Sequence, residues 1–193
     1  MPVRKPLPAK FYNRDAAIVA RELLGAVVRV EGAEGVTSGR ITETEAYLGP
    51  DDAASHAVVG RTQRTWHLFG PPGTLYVYFV YGMHWCANAV TGPEGFGSAV
   101  LIRAVHPIEG IELMRTRRPK ARNDEALCNG PGKLCAAFGI DRASDGKMLT
   151  GKSEITISRG IAIPDESVIV GPRIGISKAV DWPLRFLVRS GAI

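Results

Sequence analysis

The sequence predicts an α+β fold: one compact domain over residues 1–193, with helices flanking a curved, mostly antiparallel sheet from which a β-hairpin protrudes. Three observations predict it. Twenty-two glycines and 13 prolines in 193 residues exceed the roughly 12% combined share of ordinary globular chains, as many turns between short strands require. A hydrophobic content of 45% against 22% charged residues supplies a full core and excludes a disordered or solvating segment. Strand-like and helix-like runs also follow one another without the regular strand–helix–strand rhythm of a parallel sheet. At this length no second catalytic unit fits.

The elements follow from local patterns. Asn13 or Asp15 can cap a helix whose apolar positions Ala16, Val19, Ala20, Leu23 and Leu24 keep the helical spacing, and Gly25 ends it. Ala26–Val30 and Gly39–Tyr47 read as strands, followed by a polar loop from Gly49 toward Gly73. Leu75–Val80 and His84–Val90 flank Tyr81, Gly82 and Met83, the pattern of a hairpin with a tyrosine at its tip. Ala99–Val105 gives another strand, and Pro107 is expected to open a short helix containing Ile111 and Met114. Pro131 and Gly132 precede a one-sided stripe of Leu134, Cys135 and Phe138 that Gly139 stops, a further helix. Asp141–Gly151 reads as loop, and Ile155–Ile157, Arg173–Ile176 and Leu184–Val188 as the last strands.

The net charge of +5 and a pI near 9.3 fit a polyanionic partner or an anionic substrate, and equally a protein kept soluble by its charge. Arg115, Arg117, Arg118, Lys120 and Arg122 form one basic run, and Arg4, Lys5, Lys10, Arg14, Arg21 and Arg29 tilt the N-terminal region the same way. Cys86, Cys128 and Cys135 form no C-x-x-C pair and leave an odd count, which argues against a disulfide scaffold and fits a reducing, cytoplasmic compartment. The first twenty residues lack the apolar core of a signal peptide, and no stretch approaches the length of a membrane span.

Chemistry-bearing residues concentrate between positions 47 and 81, where four of the five tyrosines fall. On a strand Glu43, Glu45 and Tyr47 share a face. Two carboxylates on a core face are costly, so this face lines a pocket, meets basic partners or faces water. Arg103 sits inside an apolar strand and needs an acidic partner, for which Glu45 and Glu43 are the candidates. Such a carboxylate could deprotonate a water, or the pair could be purely structural. Tyr81, beside a glycine at a turn tip, suits a wedge or stacking role. The four histidines match no zinc signature, so no metal and no cofactor are expected. Asn129-Gly130-Pro131-Gly132-Lys133 offers N–H groups and a lysine to a phosphate but is not a P-loop.

Glu43-Thr44-Glu45-Ala46-Tyr47-Leu48-Gly49-Pro50, Ser55-His56, Gly73-Thr74-Leu75-Tyr76-Val77-Tyr78, Tyr81-Gly82-Met83, Val100–Ala104, Gly130-Pro131 with Lys133 and Pro183–Phe186 occur in order. Together they closely resemble the alkyladenine (3-methyladenine) DNA glycosylases, from about Leu7 to Arg189. The resemblance implies a monofunctional enzyme, acting as a monomer on damaged double-stranded DNA. It would flip out and hydrolyse alkylated or deaminated purines such as 3-methyladenine, 7-methylguanine, hypoxanthine and ethenoadenine. Base excision repair begins there, and no metal, membrane or strand-cleaving lyase step is implied. Glu45 matches the general base, Arg103 a residue that helps hold the water, and Ile174 one whose backbone carbonyl approaches it. Tyr47, His56 and Tyr78 match the walls around the base, Asn88 the residue that crowds the guanine 2-amino group, and Tyr81 the plug of the hairpin that enters DNA. Met83, Gly130 and Lys133 fall at DNA-contacting positions.

Val58-Val59 and Arg64-Thr65-Trp66-His67 depart from the family's common sequence on the approach to that pocket. The short tail beyond Arg189 fits a compact, prokaryotic version of the family. Two other readings of the same residues are a non-catalytic nucleic-acid-binding module of the same fold and a small-molecule hydrolase built on Glu43 and Glu45. The adjacency of these two carboxylates on one strand disfavours a two-sided glycosidase geometry.

Overall fold

The computed structural model describes residues 5–151 and 153–191, so Arg4 of the basic N-terminal region lies outside the described residues. In chain order the elements are α1 (Ala9–Tyr12), α2 (Ala16–Leu23), β1 (Val27–Gly32), β2 (Gly35–Tyr47), β3 (Leu75–Val80), β4 (His84–Thr91) and β5 (Ser98–Glu109). They continue with α3 (Ile111–Arg117), α4 (Glu125–Cys128), α5 (Pro131–Phe138), β6 (Ile155–Ser158), β7 (Val168–Gly171) and β8 (Arg185–Val188). The sheet is open and eight-stranded, in the order β3-β4-β5-β2-β1-β6, with β8 joined to β2 and β7 to β8. Every pairing of these strands is antiparallel, and with the five α-helices this is an α+β fold.

The long strand β2 organises the molecule. One of its edges carries β5, while the other is shared between β1, which pairs Gly35–Arg40, and β8, which pairs Glu43–Glu45. The segment that carries the two glutamates is therefore hydrogen-bonded on both sides. Its register with β5 shifts twice: Ile41 faces Val105 and Glu43 faces Ala104, but Thr44 faces Ile102. Thr42 is the extra residue on β2 and Arg103 the extra residue on β5. These compensating bulges re-aim Arg103 without losing the register beyond them, as bulges beside functional sites do.

Asp15 is the cap of α2, its carboxylate accepting from the N–H groups of Ala17 at 2.8 Å and Ile18 at 3.2 Å, a contribution of about 1 kcal/mol. The buried face of α2, Val19, Ala20 and Leu23, packs on β2 and β5, and Thr44 donates to the Ala20 carbonyl at 2.9 Å. Gly25 follows at φ 81°, where a Cβ would come within 2.2 Å of the Ile161 carbonyl, so only glycine fits. The main core joins these residues to Ile41, Ile102, Met114, Leu134, Phe138 and Ile157. A second, smaller cluster of Ala57, Leu68, Phe69, Tyr76, Val90 and Ala99 lies toward the β3–β4–β5 side.

Several expectations are corrected. Pro107 opens no helix: β5 runs through it, with Pro107 opposite Gly39 at a register shift, the kind of irregularity where a strand accepts proline. The helix starts at Ile111, after Gly110 at φ 76°. Arg173–Ile176 is no strand, because Arg173 is drawn into a buried ion pair and Gly175 takes φ 76°. The strand of that region is β7. The polar loop holds two 3₁₀ turns, His56–Val59 and Trp66–Phe69, and the Asp141–Gly151 loop holds a third at Arg142–Ser144. Short helices α1 and α4 carry too few turns to show a periodic stripe in the sequence.

Candidate active site

On β2, Glu45 is fully buried, and three donors hold its carboxylate. The Ile174 N–H donates to Oε1 at 2.7 Å, the Tyr47 hydroxyl to Oε2 at 3.0 Å, and Arg103 Nη1 lies 3.2 Å from Oε2. Arg103 Nε reaches Glu43 at 3.0 Å, and Arg185 on β8 also donates to Glu43. Burial pushes the Glu45 carboxyl above its ordinary value, Arg103, the Ile174 N–H and Tyr47 pull it back, and Glu43 adds to the rise; the net direction is up. A carboxylate so poised can take a proton from water near neutral pH.

A second buried pair fixes the wall. The Arg173 and Asp52 side chains are both fully buried and joined by two contacts, one from Nη2 at 2.8 Å and one from Nη1. Arg173 Nη1 also donates to the Ala46 carbonyl at 3.0 Å, and its guanidinium lies 4.7 Å from the centre of the Tyr47 ring. Asp52 further accepts from the Leu48 and Ala54 N–H groups. Burial opposes its charge, but Arg173 and these N–H groups outweigh it and hold the carboxyl below its usual value. Three carboxylates and three guanidiniums thus interlock around Tyr47 and Glu45, which removes the penalty of an uncompensated buried charge.

In front of them opens a cleft of about 730 Å³ lined by Tyr47, His56, Tyr76, Tyr78, Asn88 and Arg103 among others, within the range of small-molecule pockets. His56 and Tyr78 stand edge to face with centroids 4.5 Å apart. The Tyr76 hydroxyl and His56 Nδ1 are 2.9 Å apart. Burial, then Arg64, depresses the His56 pKa, so its ring is neutral at physiological pH. Asn88 is buried, and its Nδ2 donates to the Tyr76 carbonyl at 3.1 Å and the Cys86 carbonyl at 3.4 Å, so the amide cannot swing aside.

The hairpin tip stands at the rim. Tyr81 is 77% exposed and has φ 54°, a left-handed conformation that is rare for an aromatic residue. Gly82 follows at φ 67°, and the Met83 N–H closes the turn on the Val80 carbonyl at 3.3 Å. Gly130 and Lys133 reach the cleft at the start of α5, where Gly132 lies so close under His84 that a Cβ would come within 2.8 Å of its ring.

The structure therefore gathers Tyr47, His56, Tyr78, Tyr81, Asn88, Arg103, Gly130, Lys133 and Ile174 around one cleft, with Glu45 bonded to its floor. Met83 stands apart, 68% exposed on the hairpin. Ile174 meets Glu45 through its N–H. Sequence reasoning missed Tyr76, Asp52, Arg173 and Arg185. Only Tyr76 left a signal, its period-two spacing from Tyr78 on one strand. Within the basic run 115–122, Arg115 pairs with Asp124 and Glu112, Arg117 with Glu34, and Arg118 caps the carbonyls of Ala126 and Leu127. Among the described residues, no group of three His, Cys, Asp or Glu side chains converges to hold a metal, and no helix is long and apolar enough to cross a membrane.

Aromatic walls, a buried carboxylate bonded to residues that line the cleft and an exposed tyrosine at the rim suit a protein that takes in a flat ring and hydrolyses a bond beside it. The chain belongs to the methylpurine-DNA glycosylase family, whose family model matches residues 10–192, and is thereby a DNA N-glycosylase. It is 47% identical to a protein of Burkholderia lata over 94% of this chain and 87% of the relative. It is 48% identical to one of Streptomyces avermitilis over 91% and 84%, and 47% identical to one of Agrobacterium fabrum over 96% and 90%. Each of the three is named "Putative 3-methyladenine DNA glycosylase".

Proposed function

We propose that this protein extrudes an alkylated or deaminated purine from duplex DNA into the cleft and hydrolyses its bond to the sugar, with Glu45 as general base. The observation that carries this reading is the fully buried Glu45 carboxylate, held by Tyr47, Arg103 and the Ile174 N–H directly behind the aromatic walls. Water attacks C1′ as the bond to the purine nitrogen breaks; its proton goes to Glu45 and the electron pair of the broken bond leaves with the purine. The same negative charge favours the positive charge that develops on the sugar. Arg103 keeps Glu45 oriented and, with Ile174, borders the water's position.

Extrusion costs a few kcal/mol, least where a lesion weakens pairing, and stacking returns roughly 1–3 kcal/mol per aromatic contact. Tyr47, His56 and Tyr78 supply walls on more than one side, so a damaged base settles where a well-paired one does not. 3-Methyladenine, 7-methylguanine, hypoxanthine and ethenoadenine all present such a flat face. One chain supplies all the residues named around the cleft, which supports a monomer, and a DNA substrate fits work in the cytoplasm, at the nucleoid in a prokaryote. Met83 on the exposed hairpin and Gly130 and Lys133 at the cleft would contact the flanking DNA.

Tyr81 fills the gap in the stack. Tyr81→Gly is expected to weaken flipping of ethenoadenine about tenfold, read from its fluorescence in a duplex, while the fold holds or gains stability because glycine accepts the positive φ. Equal flipping by the variant would remove the wedge. Asn88, held by its hydrogen bonds to the Tyr76 and Cys86 carbonyls, would crowd the 2-amino group of guanine. Asn88→Ala should raise 7-methylguanine release relative to hypoxanthine by roughly tenfold; an unchanged ratio in single-turnover assays would show that Asn88 is no gate.

A further inference from the structure

Resting on this reading of the cleft, we propose that Arg64 is a specificity-determining residue that favours neutral purine lesions over cationic ones by placing an uncompensated positive charge beside the departing base. Arg64 lines the cleft together with Tyr47, His56 and Tyr78, and its guanidinium lies 5.9 Å from the centre of the Tyr78 ring. The other guanidiniums at the site are neutralised: Arg103 by Glu45 and Glu43, Arg173 by Asp52, and Arg185 by Glu43. Arg64 has no carboxylate partner among the described residues; its one hydrogen bond there runs to the Phe79 carbonyl at 3.3 Å. Its charge is felt inside the cleft, since it contributes to the depressed pKa of His56.

The consequence follows from where the electrons go. When a neutral purine leaves, the electron pair of the broken bond makes it an anion until it is protonated, and a nearby cation stabilises that transition state. When a purine alkylated to a cation leaves, the same pair neutralises it, so Arg64 gives no such help and repels the base as it enters. A charge on one face of Tyr78 also weakens the attraction of that wall for a cationic ring. Arg64 is exposed, which screens the effect to a moderate size.

The test compares single-turnover release of hypoxanthine, a neutral base, and 7-methylguanine, a cationic one in the nucleotide, by the wild-type protein and by Arg64→Gln and Arg64→Lys. Arg64→Gln should shift the ratio of 7-methylguanine to hypoxanthine release upward by about threefold or more, chiefly through slower hypoxanthine release, and Arg64→Lys should stay near the wild-type ratio. An equal loss on both lesions would overturn the proposal and make Arg64 a phosphate contact. The same shift in Arg64→Lys would overturn it too, since shape and not charge would then decide. No release of either lesion by the wild-type protein would overturn this inference and the reading of the cleft together.

Discussion

Replacing Glu45 with Gln is expected to slow release of a damaged purine by at least about 10²-fold, the lower end for loss of a general base, while lesion-containing duplex still binds with near wild-type affinity. Gln is close in size to Glu: its amide oxygen can still accept from the Ile174 N–H, and its amide nitrogen, at the place of the other carboxylate oxygen, can donate to the Tyr47 hydroxyl. It cannot take a proton from water. The wild-type protein should also lose activity as pH falls, because the base works only when ionised. Burial raises the Glu45 pKa, so the fall in kcat/KM should begin above the range of an exposed glutamate and vanish from the residual activity of the variant. A single-turnover time course with matched binding curves measures all of this; wild-type turnover in Glu45→Gln would end its assignment as the base.

Asp52→Ala is expected to cost about 3–5 kcal/mol of stability, the usual penalty for stranding one member of a buried ion pair. Arg173 would be left charged and fully buried, with the Ala46 carbonyl as its remaining acceptor. The damage should reach the chemistry, since Arg173 supports the Tyr47 ring and precedes Ile174, whose N–H holds Glu45. The contribution depends on pH. Asp52 has a lowered folded-state pKa, so its stabilisation is full above the unfolded value near 3.9 and disappears as pH falls through the folded value. Urea unfolding of the wild-type and variant proteins at neutral pH decides the matter, and a difference below about 1 kcal/mol would mean that the pair does little for the fold.

What the sequence made legible follows its local physics. The period-two spacing of Glu43, Glu45 and Tyr47, and a lone Arg103 in an apolar strand, pointed to one another, and the structure joins them through a pair of bulges. Asp15, Gly25, Gly139 and the β3–β4 hairpin were legible because caps and turns are read from a few adjacent residues. Asp52 was not, because in Gly49-Pro50-Asp51-Asp52 it looks like an ordinary turn residue, while its partner lies 121 residues away. For the same reason Arg173 resembled part of a strand: nothing in its neighbours announces a buried ion pair. In the basic run the partners were equally hidden: Arg115, Arg117 and Arg118 are engaged by carboxylates and helix-end carbonyls within the fold. The family pattern gave Asn88 its proposed role and made Tyr81's specific, since local sequence alone gave none to the first and a wedge or stacking role to the second.

The central claim is that this cleft removes damaged purines by hydrolysis. It is tested most directly by incubating the purified protein, with a chelator present, on otherwise identical duplexes that each carry one defined purine lesion or none, then treating them with alkali to break abasic sites. Strand breakage at the lesion only after alkali, with release of the free base and an intact undamaged duplex, is the predicted result. Tight binding to the duplexes without release of a base from any lesion would contradict the claim and leave a nucleic-acid-binding module of the same fold.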